Sequence, residues 1–175
     1  MATFRKADPD VFALVAKTLK DTYPELKELG VTVQCLFAYP PTNPSTGEPT
    51  GPALRHHGYP AAAVIKVTSH ADRVAGLADA VLKVDADWWK GASDESKAAL
   101  IDHEICHLEV ATDDEGNPKY DDAMRPKLRS RPHDHEVGLF AAVVSRHGAK
   151  AVEAVGLFKA YQAIKEYVQG EFHWG

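Results

Sequence analysis

Two histidines four residues apart, with a glutamate directly after the first, stand in the segment ALIDHEICHLEV, residues 99–110. On an α-helix, residues four apart differ by about 40° in direction and by about 6 Å along the axis. His103 and His107 could therefore direct their imidazoles at one metal ion. Zinc favours neutral imidazole nitrogen at about 2.0–2.1 Å, so the spacing predicts a zinc site on a helix.

Glu104 suits a different role from the two histidines. It lies about 100° round the helix from His103, too far to be an ideal third ligand. It could instead reach a water held by the metal and take its proton as the water attacks a carbonyl, which is the role of a general base. The alternative is an ordinary amphipathic helix that carries two histidines at its polar edge. The zinc interpretation therefore requires a helix here and a third ligand from elsewhere in the chain.

The candidates for a third ligand lie downstream of the motif, and they are His133, His135, Glu136 and His147. On residue chemistry, His133 ranks first and Glu136 second. His133 opens the next predicted helix directly after a proline, where its side chain could turn back toward the motif. Asp134 could orient a ligand histidine through its second ring nitrogen, or serve as an acid at a helix N-terminus.

The elements that must position these residues follow from apolar spacing and turn signals. Asp8 and Pro9 predict the start of an N-terminal helix that ends or bends at residues 23–24. Three strands are predicted at 31–39, 61–69 and 78–89, with a proline-rich loop at 40–52. The motif helix should begin after Ser93 and bury a stripe formed by Ala98, Leu100, Ile101, Ile105 and Leu108. A polar loop, with room for a short hairpin, and two helices at 133–148 and 149–170 complete the chain.

Composition limits the class of protein. The 175 residues carry a net charge of −5, with 45% hydrophobic and 26% charged residues, as in ordinary globular proteins. The acidic balance argues against a broad nucleic-acid surface, and the basic segment RPKLRSRP (residues 125–132) is better explained as a solvated loop. Two cysteines form no disulfide framework, and neither a signal peptide nor a membrane span is expected. The prediction is a cytoplasmic protein, and composition does not distinguish a bacterial protein from one encoded by a phage in its host.

The segments ALIDHEICHLEV and RPHDHEVG, with GYPAAAVIKV and DADWWKGASDESKAALIDHE upstream, resemble the putative phage metallopeptidase family over about residues 9–148. The sequence is also similar to the SprT/Spartan-like zinc proteases. In those, a third histidine opens a helix after the motif helix and a glutamate follows three residues later, the relation in which His133 and Glu136 stand. The resemblance implies His103, His107 and His133 as metal ligands and Glu104 as catalytic base. It implies a supporting role for Glu136.

The resemblance further implies an α+β fold of the minimal zincin type, forming a single metallopeptidase domain over residues 1–175. We expect a small sheet of three or more strands packed with the N-terminal helix, the HExxH helix and two C-terminal helices. The expected activity is zinc-dependent hydrolysis of a polypeptide, with an edge strand above the motif helix binding the substrate through main-chain hydrogen bonds. Two alternatives are a zinc-stabilised protein-binding module with little turnover and a DNA-linked SprT-like protease.

Other residues near the motif have ordinary explanations. Cys106 is predicted to be a small buried apolar residue, and Asp102 a solvated one. Tyr120, Arg125 and Arg131 could each stabilise the oxyanion formed on the carbonyl, but the sequence gives no geometry to choose among them. Oligomeric state and cleavage specificity do not follow from the sequence.

Overall fold

The computed structural model describes residues 1–133 together with residues 158, 161 and 162. The chain divides into two compact units, Met1–Arg131 and Pro132–Gly175. In the described part of the first unit the strands are β1 (Thr3–Lys6), β2 (Val33–Tyr39), β3 (Arg55–His56), β4 (Tyr59–Pro60), β5 (Ala63–Val67), β6 (Ala80–Asp85), β7 (Leu108–Val110) and β8 (Leu128–Ser130). The helices are α1 (Pro9–Asp21), α2 (Pro24–Glu28), α3 (His70–Val74), α4 (Ala86–Gly91) and α5 (Asp94–Cys106). The predicted α+β class is confirmed.

In the second unit, Phe158, Tyr161 and Gln162 are helical, inside the second of the two predicted C-terminal helices. His133, where the first of these helices was predicted to open, is described and is not helical. The remaining residues of both predicted helices lie outside the described residues, among them Asp134, His135, Glu136 and His147. Among the described helices, none combines the length and the apolar character needed to cross a membrane.

A four-stranded mixed sheet in the order β1-β2-β6-β5 organises the first unit. β2 and β6 run parallel, while β1 and β5 are antiparallel edge strands. The central strands are buried because Cys35, Leu82 and Val84 are fully enclosed. All three predicted strands are present, but the third ends at Asp85 rather than at residue 89. Asp85 accepts hydrogen bonds from the N–H groups of Asp87 and Trp88, and so begins helix α4.

Helix α1 begins where the sequence predicts, with Asp8 as N-cap and Pro9 in its first turn. Its buried face comprises Val11, Val15, Thr18 and Leu19, which recur at helical spacing. Pro24 ends α1 and then opens the short helix α2, which the sequence analysis did not anticipate. This follows from the fixed φ of proline, which suits the first turn of a helix as well as it prevents continuation of the previous one.

Helix α5 carries the motif and begins at the predicted N-cap, where Ser93 Oγ accepts a hydrogen bond from the Ser96 N–H at 3.2 Å. Ile101 and Ile105 are fully buried, as expected, and Leu108 is buried at the start of β7. The predicted stripe was wrong at Ala98, which is exposed. The third buried side chain of α5 is instead that of Glu104, which is charged when ionised.

We expect Ser93→Ala to lower the free energy of unfolding by about 1 kcal/mol, because a helix N–H loses its side-chain acceptor. Chemical denaturation of the wild type and the variant measures this difference. Ser45→Ala, in the loop between β2 and β3, is the matched control because the hydroxyl of Ser45 caps no helix. Equal losses in the two variants would contradict the assignment.

A buried charge network holds the long loop between β7 and β8 against the sheet. Asp79, which precedes β6 and is 2% exposed, contacts Arg73 at 2.8 Å and Arg125 at 2.7 Å. Its other oxygen accepts hydrogen bonds from the Thr32 N–H and hydroxyl at 2.9 and 2.7 Å. Arg73 also contacts Asp121 at 3.3 Å. The network therefore joins the start of the central strand, helix α3 and the loop that leads into β8.

Candidate metal centre

The two motif histidines lie at the C-terminal end of α5. His103 is in the last turn, and His107 is the C-cap with φ −73° and ψ −9°, still in the right-handed helical region. The two histidines are therefore separated by one helical turn, as the four-residue spacing predicts. Their ring centroids are 5.1 Å apart, and the ring planes make an angle of 85°. The helix that the zinc interpretation requires is present.

His133 joins this pair. One ligand nitrogen from each of His103, His107 and His133 lies within 4.8 Å of the others. Nitrogens held by one ion at about 2.0–2.1 Å would be separated by less than this distance, so the three rings need only a small adjustment to share it. A set of three imidazoles also leaves a fourth tetrahedral position for solvent, as in catalytic zinc sites. The donor set fits a zinc ion.

A main-chain carbonyl determines which ring nitrogen of His107 carries the proton. Its Nδ1 is 2.7 Å from the main-chain carbonyl of Arg131, and a carbonyl can only accept, so Nδ1 carries the hydrogen. The lone pair is then on Nε2, the atom that would ligate a metal. The Arg131 N–H in turn donates to the His107 carbonyl at 2.8 Å. The β7–β8 hairpin thus fixes the tautomer and the orientation of the ring, as supporting residues do in zinc sites.

Glu104 points away from solvent and is 5% exposed. Its Oε2 accepts a hydrogen bond from the Ile65 N–H of strand β5 at 2.7 Å. Burial raises the pKa of the Glu104 carboxyl, while the Ile65 hydrogen bond and the neighbouring His107 act in the opposite direction. The net effect is a carboxylate more basic than one in water and held at one oxygen.

Strand β5 is the edge strand next to the motif helix, and only part of its edge suits a substrate. The ladder bonds from Asp85 N–H to Ala62 carbonyl and from Thr68 N–H to Asp79 carbonyl direct Ala62, Val64 and Lys66 toward β6. The N–H of Ile65 therefore faces outward, where Glu104 already occupies it. Binding of a peptide at this edge stays a prediction, and the peptide would have to use main-chain groups of the edge other than the amide of Ile65.

The opposite flank of the motif holds Cys106, Asp102 and Tyr23. Cys106 is half-buried rather than buried as predicted, and the Arg131 guanidinium donates to its sulfur at 3.5 Å. Asp102 is exposed, as predicted, and accepts a hydrogen bond from the Tyr23 hydroxyl at 2.8 Å. Burial and the neighbouring Asp102 both raise the pKa of the Tyr23 phenol, which therefore remains protonated as a hydrogen-bond donor.

Two of the arginines in the basic segment have local partners. Arg125 donates to Asp79 and to the carbonyls of Arg73 and Leu77, all within 3.0 Å, so it has a structural role in the charge network. Arg129 forms a two-pronged pair with Glu109 at 2.7 and 3.0 Å. Of the oxyanion candidates, the geometry therefore removes Arg125. No local sequence signal predicts this contact, since Arg125 and Asp79 are 46 residues apart.

The fold and the motif helix together define an α+β domain that carries an HExxH sequence beside a sheet edge. The family model described as "Putative phage metallopeptidase" matches residues 5–162, and the chain belongs to that family. The description of that family implies a metal ion and a polypeptide substrate. No curated protein and no solved structure matches the chain.

Proposed function

We propose that the protein is a zinc-dependent peptidase in which His103, His107 and His133 hold the metal and Glu104 is the general base. The observation that carries the proposal is the approach of three imidazole nitrogens to within 4.8 Å of one another, two of them from a helix that also presents a glutamate. Membership of a metallopeptidase family supports it. We also propose that residues 1–175 act as one domain in the cytoplasm, with Asp134 and Glu136 supporting the ligands.

When bound, zinc supplies a Lewis acid that polarises the scissile carbonyl and acidifies water. The other roles belong to residues of the chain. Oε2 of Glu104 is anchored by Ile65, which leaves Oε1 as the oxygen that accepts a proton and later returns it to the leaving amine. The Arg131 carbonyl keeps the Nδ1 proton of His107 in place, so that Nε2 remains a ligand atom.

We expect elemental analysis to find one zinc per chain in the wild type and a substoichiometric amount in His133→Ala, because two imidazoles hold the ion far less firmly than three. His57→Ala is the matched control, since His57 is exposed in the turn between β3 and β4 and is not part of the histidine group. Full zinc content in His133→Ala would remove His133 from the ligand set.

A zinc-stabilised binding module is the second candidate, and one observation favours it. Glu104 is buried and hydrogen-bonded to a main-chain amide, a contact that a residue with only a structural role would also make. The basic segment gives little support to the DNA-linked alternative, because Arg125 is paired with Asp79 and Arg129 with Glu109. The Glu104 variants described in the Discussion distinguish the peptidase from the binding module.

A further inference from the structure

A cavity of about 330 Å³ lies beside the motif helix and is lined by Cys106 of that helix. On the helix, Cys106 lies about 60° from His103 on one side, whereas Glu104 lies about 100° from it on the other. The cavity is therefore on the flank of the histidine pair opposite to Glu104 and strand β5. Arg131 also lines it, and the same residue supports His107 through its carbonyl. The cavity adjoins the proposed metal site without being part of it.

The floor of this cavity is apolar. Leu26 of α2 is 1% exposed and Leu108 of β7 is 5% exposed, and both line it together with Val110 and the ring of Tyr23. The volume is at the lower end of the range of about 300–1,000 Å³ typical of ligand pockets. It is enough for one large side chain rather than for a cofactor.

The charged groups around the cavity give no excess of either sign. Both carboxylate oxygens of Glu109 are taken by Arg129, at 2.7 and 3.0 Å. Glu25 and Arg131, the other charged lining residues, carry opposite charges. A charged side chain entering the cavity would lose its hydration and would meet lining groups of both signs, whereas an apolar one would gain from burial.

We propose that this cavity binds a large apolar side chain of the polypeptide substrate, next to the scissile bond. This inference rests on the proposed function, because the occupant is part of a substrate only if the protein is a peptidase. Leu26, Leu108 and Val110 are then the residues that determine specificity. We expect kcat/KM to favour leucine or phenylalanine over glycine at the corresponding substrate position by on the order of tenfold or more.

Cys106 provides a direct reporter that needs no catalysis. The only other cysteine of the chain, Cys35, is fully buried in β2 and serves as the internal control for unfolding. The full-length Glu104→Gln variant, loaded with zinc so that the peptide persists, is labelled with N-ethylmaleimide and the modified residue is identified by mass spectrometry. The probes are blocked alanine pentapeptides whose central residue is leucine, phenylalanine, glycine or aspartate.

The leucine and phenylalanine peptides should slow labelling of Cys106 by about tenfold at a concentration near ten times their Kd. The glycine and aspartate peptides should give little protection at that concentration. Equal protection by all four peptides, or protection by none, would overturn the proposal. These outcomes use the natural lining of the cavity, so they do not depend on the folding of any variant altered in the cavity.

A pair of tryptophan variants provides the structural control. Val110→Trp fills the cavity from strand β7 and should reduce protection by the leucine peptide to the level of the glycine peptide. Ala98→Trp fills a separate cavity of about 270 Å³ elsewhere on α5 and should leave protection unchanged. Undiminished protection in a folded Val110→Trp would contradict the assignment.

Protection and hydrolysis can fail separately. If the wild type hydrolyses no peptide but Cys106 is still protected by the apolar peptides, the peptidase proposal fails and the cavity stands as a side-chain pocket of a binding module. If peptides are cleaved with no preference for an apolar residue and Cys106 is not protected, the pocket proposal fails and the peptidase stands.

Discussion

Replacing Glu104 with glutamine is expected to lower kcat/KM for peptide hydrolysis by about 10²–10⁴-fold, the usual contribution of a general base. Zinc content should not change, because the three imidazoles remain. Glutamine has nearly the size of glutamate, and its amide oxygen can still accept the Ile65 N–H. The variant therefore removes the proton-accepting group while keeping the hydrogen bond that anchors the side chain. Steady-state kinetics and elemental analysis of the same preparation measure both effects.

Glu104→Ala is the informative partner of this variant. It removes the acceptor of a buried amide, at a cost of about 1–3 kcal/mol in the free energy of unfolding, which the glutamine variant should not incur. A peptidase predicts similar losses of activity in both variants and a loss of stability in the alanine variant alone. Wild-type activity in Glu104→Gln would show that Glu104 is only a structural residue, whereas the binding-module alternative requires that the wild type itself hydrolyse little or no peptide.

Asp79→Ala is expected to lower the free energy of unfolding by about 3–5 kcal/mol, because Arg73 would be left buried without its nearest carboxylate. Arg73 keeps Asp121 at 3.3 Å, which favours the lower end of that range. Arg125 and the amide of Thr32 would lose their partner as well. Urea denaturation measures the change.

The matched control for Asp79→Ala is Glu109→Ala. Glu109 also approaches an arginine at 2.7 Å, but the two side chains are 42% and 60% exposed, so solvent screens the pair and its removal should cost little stability. Comparable losses from the two variants would mean that burial does not govern the strength of the Asp79 network.

The same residue predicts a dependence of stability on pH. Burial alone would raise the pKa of Asp79, but the hydrogen bonds from Thr32 and the guanidinium of Arg125 hold it below its usual 3.8. A folded-state pKa below the unfolded one means that the contribution of Asp79 is complete above about pH 4. It is lost as the pH falls through the folded-state value. The stability difference between the wild type and Asp79→Ala should therefore shrink in this acid range, and a constant difference would contradict it.

The sequence predicted the elements whose boundaries are set locally. Pro9 and Ser93 lie at helix starts because a fixed φ and a capping hydroxyl act within one turn. Strand β1 was missed because TFRK has a single apolar residue, Phe4, and is exposed on every residue. It is a strand only because β2, some thirty residues later in the chain, offers an edge with which it pairs.

The residue types of the candidate site could be predicted from the sequence, but the burial and the hydrogen-bond partners of these residues could not. The spacing of His103 and His107 indicates a shared ion on any helix, whatever surrounds it. The burial of Glu104 depends on an amide 39 residues earlier, and the engagement of Arg125 depends on a carboxylate 46 residues earlier. Helical periodicity carries no information about contacts at such separations, and so Ala98 was assigned to the stripe and Glu104 was not.

The hydrogen bond between Glu104 and Ile65 also has a consequence for self-association. An edge strand with a row of unsatisfied outward amides is a template for the strand of another molecule, and many proteins place a charge there to prevent such pairing. Here the carboxylate of Glu104 occupies the central outward amide of β5. A second chain could not extend the sheet past Ile65 in regular register. The residue proposed to activate water would thus also protect the protein against edge-to-edge aggregation of its sheet.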